Sequence, residues 1–258
     1  MGTFCVMNAD RVSRLVGAAV TAAFGLGVTA IPASAAPPAG QNCPDTEVVF
    51  ARGTGEDPGV GPTGQAFVDA LRPRLPGKSL DVYAVNYPAS DQWSTGLDGI
   101  RDAGTHVINE AHACPNTKMV LGGFSQGAAV AGFTTSSAVP DSIPQDVDPA
   151  TIPKPLDPAM ASHVAAVVLF GTPNVRAMNF LGQPQLVIGP LYQSKTIEVC
   201  ATEDPVCSDG MNFSAHNSYV EDNGFIGQGV DFAVAHLQGP GAPGPSPAPT
   251  AQHGGFGN

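Results

Sequence analysis

Basic residues are scarce in this sequence. Its 258 residues include 11 Lys and Arg against 22 Asp and Glu, which gives a formal charge of -11 and a pI near 4.7. Nucleic acids and anionic lipid surfaces attract basic patches. The charge balance therefore argues against both as electrostatic partners, and we expect no nucleic-acid partner.

Charged residues of either sign are also few, at 13% of the chain, whereas Gly and Pro number 31 and 25. This composition disfavours long helices and coiled coils and suits a compact, loop-rich secreted protein. No internal repeat is found. The length permits one sizeable core, because α/β domains of about 200 to 250 residues are common as single units.

The N-terminal segment has the features of a secretory signal. Arg11 and Arg14 precede an apolar run from Leu15 to Val28, and Ala33-Ser34-Ala35 supplies a small-x-small cleavage site. A membrane anchor is the alternative, but the run is weakly apolar and short for a span. We expect residues 1–35 to be cleaved, which leaves a secreted, extracellular or cell-wall-associated protein without an integral membrane segment.

Low-complexity segments flank the expected domain. Residues 36–42 are a Pro/Ala lead-in, and residues 239–258 contain mainly Gly, Pro, Ala and Ser. A segment of this second composition buries too little apolar surface to fold. We expect residues 43–238 to form one domain and residues 239–258 to be disordered.

Cys5 leaves with the signal segment, so the expected mature chain keeps Cys43, Cys114, Cys200 and Cys207. An even number of cysteines in an oxidising compartment indicates disulfides. Four cysteines allow three pairings, and we favour Cys43 with Cys114 and Cys200 with Cys207. Free buried thiols are the alternative. A zinc site has less support, because no C-x-x-C or histidine pair accompanies these cysteines, and we expect no metal and no cofactor.

Strand and helix patterns alternate along the chain. A segment with apolar residues at helical spacing follows or precedes each strand-like run. The Gly/Pro-rich stretch up to Gly64 is expected to be loop. The predicted strands are Thr46–Ala51, Leu80–Ala84, Lys118–Phe124, His163–Phe170 and Thr196–Val199; the helical segments centre on residues 67–71, 97–111, 126–137 and 230–237. Connections long enough for crossover helices predict an α/β fold, a doubly wound parallel sheet of about five strands with helices on both faces.

Residues 138–161 interrupt this pattern. Six prolines in that span exclude one regular element across it. The segment is either a flap over a site or a surface insertion. We favour the insertion, because lengthening a surface loop costs little free energy.

The stretch Gly123-Phe124-Ser125-Gln126-Gly127 matches G-x-S-x-G, the nucleophile elbow in which a tight strand-to-helix turn exposes a serine oxygen. Glycines on both sides let strand and helix pack closely around it. A serine hydroxyl is a poor nucleophile on its own. Ser125 therefore needs a base, an orienting acid and oxyanion donors.

We expect the base among the histidines beyond the last strand, because the α/β fold that carries a nucleophile elbow has its triad in the chain order serine, acid, histidine. Three qualify: His216, His236 and His253. His253 lies in the expected tail and His236 within the last helical segment. We favour His216, which lies on a loop, with His236 as its rival.

The acid is sought in the loop between Cys200 and Cys207, directly after the last strand. Glu203 and Asp204 both lie there. We favour Asp204, because Pro205 restricts the backbone after it and Asp is the commoner partner of a triad histidine. Asp209 is a weaker competitor.

Oxyanion donors are expected from the residue after the nucleophile and from the loop after an earlier strand. Gln126 N–H supplies the first. Thr54 N–H, in Gly53-Thr54-Gly55, supplies the second, and the Thr54 hydroxyl is a further donor. The alternative for this Gly-Thr-Gly is an ordinary turn.

Five motifs together resemble the cutinase family, specifically the secreted cutinase-like esterases of mycobacteria and their relatives. The resemblance covers about Cys43 to Leu237. It rests on Ala51-Arg52-Gly53-Thr54, Asn86-Tyr87-Pro88-Ala89, Gly122-Gly123-Phe124-Ser125-Gln126-Gly127, Cys200-x-x-x-Asp204-x-x-Cys207 and His216-x-x-Tyr219. The segment 138–161 and the tail depart from the family pattern.

The resemblance implies a minimal α/β hydrolase without a large lid, the disulfide pairing given above, and the triad Ser125, Asp204 and His216. It also implies hydrolysis of carboxylic esters with short to medium acyl chains, and of polyesters or phospholipids by some members. We therefore expect a monomeric secreted serine esterase that acts on ester or lipid substrates. An acyltransferase with the same triad and a non-catalytic secreted binding protein are the alternatives.

Overall fold

Five parallel strands form one sheet in the order β2-β1-β3-β4-β5. They are β1 (Thr46–Ala51), β2 (Leu80–Ala84), β3 (Lys118–Phe124), β4 (Val164–Phe170) and β5 (Thr196–Val199). From β1 the chain moves outward to β2, then returns to β3 on the other side of β1 and continues to β5. The strand order therefore reverses between β1 and β3. In open α/β sheets the crevice at the carboxyl ends of such strands is the usual ligand site.

The computed structural model describes residues 42–141, 143, 147–221 and 224–238. The expected signal segment 1–35, the lead-in apart from residue 42, and the tail 239–258 lie outside the described residues. Within the described residues no helix is both long and apolar enough to cross a membrane.

Helices cover both faces of the sheet. They are α1 (Gly61–Leu71), α2 (Gly96–Ala113), α3 (Gln126–Thr134), α4 (Val175–Phe180), α5 (Pro190–Gln193) and α6 (Phe225–Gln238). Successive strand residues point to opposite faces, so Val49 packs in the core beneath α2 and α3. Phe50 packs in the core beneath α1 and α6. The predicted α/β class with helices on both faces is confirmed.

The central strands are buried along almost their whole length, as expected for a parallel sheet covered on both sides. All six residues of β1 are buried, as are six of seven in β3 and six of seven in β4. The continuous apolar run that predicted a strand from His163 to Phe170 forms β4, one residue shorter at its start.

Proline begins several helices where the sequence analysis predicted loop. Helix α1 starts at Gly61 rather than after Gly64, because Pro62 fits the first turn, where a missing N–H costs nothing. Two short 3₁₀ helices, Pro149–Thr151 and Pro158–Ser162, lie in the Pro-rich segment, each capped by an aspartate. Helix α3 ends at Thr134 instead of near Ser137, and α4 and α5 were not predicted.

Within the described part of the chain two disulfides are present, with the favoured pairing. Cys43–Cys114 ties the residues before β1 to the end of α2. Cys200–Cys207 closes a short loop after β5. Among the residues that the structure describes, no group of three or more His, Cys, Asp or Glu side chains could hold a metal ion.

Candidate active site

The strand β3 passes into α3 through Ser125, whose φ of +54° is in a region that L-residues rarely adopt. The two neighbouring glycines make this turn possible. A Cβ on Gly123 would lie 2.1 Å from Gly127 O, and one on Gly127 would lie 2.0 Å from Ala51 O. The elbow can therefore close against β1 only when both positions lack a side chain.

His216 joins Ser125 to Asp204. His216 Nε2 lies 2.8 Å from Ser125 Oγ, and His216 Nδ1 lies 2.8 Å from Asp204 Oδ2. With the proton on Nδ1, the imidazole donates to the carboxylate and accepts from the serine hydroxyl. The ring stacks on Phe124 at a centroid distance of 4.9 Å. Gly171 leaves room for it, since a Cβ there would lie 3.0 Å from His216 Cε1.

Asp204 is completely buried. Its Oδ1 accepts the Val206 N–H at 2.8 Å, and its Oδ2 accepts the Tyr219 hydroxyl at 2.7 Å as well as His216. Burial raises the pKa of this carboxyl, but the hydrogen bonds from His216, Val206 and Tyr219 outweigh it and hold the pKa of Asp204 below its usual value. The carboxylate is therefore ionised at neutral pH and suited to orient an imidazole.

The loop that carries Asp204 is fixed at several points. Cys207 Sγ lies 3.2 Å from Asp204 Oδ2, so the disulfide itself packs against the carboxylate. Helix α4 holds the outer side, because Asn174 N–H donates to Val206 O at 2.8 Å and Arg176 Nη2 donates to Ser208 O at 2.9 Å. The carboxylate thus has little freedom to move away from His216.

The structure places the rival residues elsewhere. His236 lies on α6, where its Nδ1 is 2.8 Å from Phe232 O. Glu203 and Asp209 are exposed, and Asp209 lies 3.8 Å from Arg176 Nη1. Of the candidate acids and bases that the structure describes, His216 is brought to Ser125 and Asp204 to His216. The remaining candidate, His253, lies outside the described residues.

The two candidate oxyanion donors lie at adjoining strand ends. Gln126 is the first residue of α3, where a backbone N–H has no acceptor within the helix. Thr54 is exposed in the turn after β1. This turn packs against the elbow, because a Cβ on Gly53 would lie 2.8 Å from the Phe124 ring.

Residues that the sequence analysis gave no role hold this turn in place. Glu56 Oε2 accepts the Gly53 N–H at 2.6 Å. The buried Arg52 donates through Nε to Glu56 O at 2.8 Å and through Nη2 to Tyr87 O at 2.7 Å. Burial raises the pKa of the Glu56 carboxyl. Arg52 and Tyr87 belong to two of the motifs that carry the family resemblance, so the sequence already indicated that they matter. No motif in the sequence indicated a role for Glu56.

Tyr219 is the other residue whose role was missed. Besides its bond to Asp204, its hydroxyl accepts the Ala201 N–H at 3.0 Å. Its position three residues after His216 was the available signal.

The sheet order and the elbow at the reversal point together define the molecule as a minimal α/β hydrolase.

Residues 42–237 match the cutinase family, and the chain belongs to it. Carboxylesterase Culp1 of Mycobacterium tuberculosis is 42% identical over 234 residues, 90% of this chain and 98% of the relative. Phospholipase Culp4 of the same species is 41% identical over 229 residues, 89% and 93% of the two chains. Trichoderma reesei cutinase, solved in complex with a C11Y4 phosphonate inhibitor, has a TM-score of 0.55 at 30% identity and covers 76% of this chain and 77% of its own. The protein is accordingly a cutinase-like carboxylic-ester hydrolase.

Proposed function

We propose that this protein is a secreted serine esterase that works through Ser125, His216 and Asp204 and an acyl-enzyme intermediate. The observation that carries the proposal is the unbroken hydrogen-bond chain from Ser125 Oγ through His216 to Asp204, with 2.8 Å at each step. This is the geometry that a Ser-His-Asp triad requires.

In the proposed reaction, Ser125 Oγ attacks the ester carbonyl carbon and its proton passes to His216 Nε2. Asp204 stabilises the resulting imidazolium. The N–H groups of Thr54 and Gln126 donate to the oxyanion of the tetrahedral intermediate. The C–O bond to the alcohol breaks, and the alcohol leaves with the proton from Nε2. Water then attacks the acyl-enzyme by the same route and releases the carboxylic acid and free Ser125.

The proposed substrates are carboxylic esters with short to medium acyl chains, with lipids and polyesters included. The names of the relatives Culp1 and Culp4, a carboxylesterase and a phospholipase, support this class. The two disulfides favour an oxidising, extracellular location. We propose that the chain acts there as a monomer.

Hydrolysis of p-nitrophenyl butyrate tests the catalytic assignment. We expect Ser125→Ala, His216→Ala and Asp204→Asn each to lower kcat by about 10⁴-fold or more. Ser137→Ala and His236→Ala are matched controls and should keep the wild-type rate, because Ser137 is exposed after α3 and His236 lies on α6. Wild-type rates in the three triad variants would reject the assignment.

A fluorescent alkyl phosphonate gives a second test that does not depend on turnover. It should label the wild type on the peptide that contains Ser125, and Ser125→Ala should remain unlabelled. The T. reesei cutinase structure, with its phosphonate inhibitor, supports this choice of probe. Labelling of any other residue would contradict the proposed nucleophile.

The Thr54 hydroxyl can be tested separately from the backbone donors. Thr54→Ala should lower kcat by about 100-fold with little change in KM, because one oxyanion donor is lost in the transition state only. Thr54→Ser should recover most of that loss. Equal rates for Ala and Ser would show that the hydroxyl does not contribute and leave the backbone N–H as the sole Thr54 donor.

A further inference from the structure

A cavity of about 340 Å³ lies between α2, α3 and the Pro-rich segment, whose described residues here are 138–141, 143 and 147–156. Small-molecule sites have volumes from roughly 300 Å³ upward. Ser125, His216 and Asp204 are not in its walls. The side chains that shape it are apolar: Leu97, Ile100 and Ile108 from α2, Phe133 from α3, and Ile152 and Leu156 from the Pro-rich segment.

Three polar side chains in the walls are already bound to other protein groups, and two further ones, Thr105 and Lys154, are exposed to solvent. Thr134 Oγ1 donates to Val130 O at 2.9 Å, and Ser136 Oγ donates to Val187 O at 2.5 Å. Arg101 uses Nη1 for Asp98 and Nη2 for Thr151 O, both at 2.7 Å. These groups offer little to an occupant, which must therefore be largely apolar. The Arg101 bond also fastens the Pro-rich wall to α2.

One end of the cavity is polar and adjoins the nucleophile. Gln126, only 1% exposed, lines the cavity and directly follows Ser125. Its Nε2 donates to Ser90 O at 3.0 Å. Its Oε1 is buried and has no hydrogen-bond partner within the described part of the chain. Since Gln126 N–H is the proposed oxyanion donor, the ester carbonyl would lie at this end and an attached chain would lead into the apolar part.

The length of the cavity sets the size of that chain. Leu97 and Ile108 line it eleven residues apart on α2, a rise of about 16 Å. Three bonds of an extended chain advance about 3.5 Å, so the cavity matches roughly 12 to 14 carbon atoms.

We infer that this cavity binds the acyl chain of the ester and that the enzyme prefers fatty acyl esters of about 12 to 14 carbons. The inference rests on the proposed function, because it takes Ser125 as the reacting centre. The Pro-rich segment then forms one wall of the acyl site. Burial of each added methylene should raise kcat/KM by up to about fourfold until the chain fills the cavity.

A p-nitrophenyl ester series from acetate through octanoate and dodecanoate to palmitate tests the inference by kinetics. The wild type should reach its highest kcat/KM near dodecanoate. Gly104→Leu should lower the ratio of dodecanoate to acetate kcat/KM by at least tenfold. Gly104 lines the cavity from α2, and a Cβ there would meet Leu156 Cδ2 at 3.6 Å, so the leucine would fill the space. Leucine also favours the helix more than glycine does, which protects the fold.

Val82→Phe is the matched control. Val82 is 39% exposed on the edge strand β2, outside the cavity walls, and the wall residue Ile108 has the same exposure. Enlarging Val82 should leave the whole ester series unchanged, whereas Ile108→Phe should shift it like Gly104→Leu. A dodecanoate-to-acetate ratio in Gly104→Leu within twofold of the wild type would overturn the inference, and so would a wild-type series that falls steadily from acetate.

Binding can be measured without catalysis, because Trp93 is the single tryptophan of the sequence and lines the cavity. In Ser125→Ala, a mid-chain brominated dodecanoic acid should quench Trp93 fluorescence saturably, and unbrominated dodecanoic acid should not. In the double variant Ser125→Ala with Gly104→Leu, half-maximal quenching should need at least a tenfold higher concentration of the brominated acid. Quenching without any ester hydrolysis in the wild type would reject the proposed function and still support the cavity as a fatty-chain site. Hydrolysis without quenching would overturn the inference alone.

Discussion

Tyr219 donates its hydroxyl to Asp204 Oδ2 at 2.7 Å, and the two side chains are 1% and 0% exposed. The same hydroxyl accepts the Ala201 N–H at 3.0 Å. Tyr219 thus links the residue that orients His216 to the backbone just beyond β5. Because Tyr219 bonds the proposed triad acid and not the proposed nucleophile, we expect it to act as a positioning residue.

Tyr219→Phe should lower kcat about tenfold and the free energy of unfolding by about 1 to 3 kcal/mol, because a buried N–H and a carboxylate lose a partner. Tyr83→Phe is the matched control. Its hydroxyl donates to Asp102 at 3.1 Å, away from the site, so kcat should not change. A wild-type kcat in Tyr219→Phe would contradict the positioning role.

The stability deficit of Tyr219→Phe should also depend on pH. The folded state lowers the pKa of Asp204, and the Tyr219 hydroxyl is one of the causes. A lowered carboxyl pKa stabilises the fold above its unfolded pKa, and this stability is lost as the pH falls through the folded pKa. The deficit should therefore be largest at neutral pH and shrink below about pH 4. Urea unfolding at pH 7 and pH 3 measures it, and a deficit independent of pH would show that Asp204 is not involved.

The elbow could be anticipated from the sequence because its requirements are local. Gly123 and Gly127 lie within two residues of Ser125, and the backbone atoms their side chains would strike belong to the same turn or to β1. The contacts of Ser125, His216 and Asp204 could also be anticipated, since chain connectivity places Asp204 and His216 after the last strand.

Other parts of the site depend on tertiary packing and carry no local pattern. Glu56 lies in a Gly/Pro-rich loop, and only the folded turn brings its carboxylate to Gly53 N–H. The prolines of 138–161 indicated an irregular segment but not the surface it would cover. Arg101 binding to Thr151 O, fifty residues away, decides that the segment covers α2.

The two disulfides should affect stability and activity differently. In the chain-entropy model, Cys43–Cys114 closes a loop spanning 71 positions and Cys200–Cys207 a loop spanning 7, worth about 4.4 and 2.4 kcal/mol. Replacing both cysteines of a pair by alanine should therefore cost more stability for Cys43–Cys114. Only the Cys200–Cys207 loop carries Asp204. Removing the Cys200–Cys207 disulfide should therefore lower kcat more than removing Cys43–Cys114 does, at a temperature where both variants are folded. Guanidinium unfolding and kcat at 20 to 25 °C measure the two effects. A larger kcat loss in the Cys43/Cys114 variant would contradict this division.

Glu56 should give a pH-dependent stability effect of the opposite sign to Asp204. Burial raises the pKa of Glu56 from its usual 4.5, so the fold disfavours the ionised carboxylate. The stability that the neutral carboxyl contributes is therefore lost as the pH rises through the folded pKa. Glu56→Gln keeps an acceptor for Gly53 N–H and does not ionise. The melting temperature of Glu56→Gln minus that of the wild type should therefore increase from pH 4 to pH 7. The exposed Glu221→Gln is the control and should show a constant difference; a constant difference for Glu56→Gln would refute the prediction.

The strained backbone at Ser125 should lower the free energy of unfolding by a measurable amount. Its φ of +54° with ψ of -119° is unfavourable for any residue with a Cβ and costs on the order of 1 to 3 kcal/mol. Glycine adopts this conformation more readily but loses more entropy on folding, by roughly 0.5 to 1 kcal/mol. Ser125→Ala and Ser125→Gly both remove the hydroxyl and its bond to His216, so they differ mainly in this strain. We expect Ser125→Gly to be more stable than Ser125→Ala by about 1 kcal/mol in urea unfolding, whereas the same pair at the exposed Ser137 should not favour glycine. Equal stability of the two Ser125 variants would mean that the elbow is not strained.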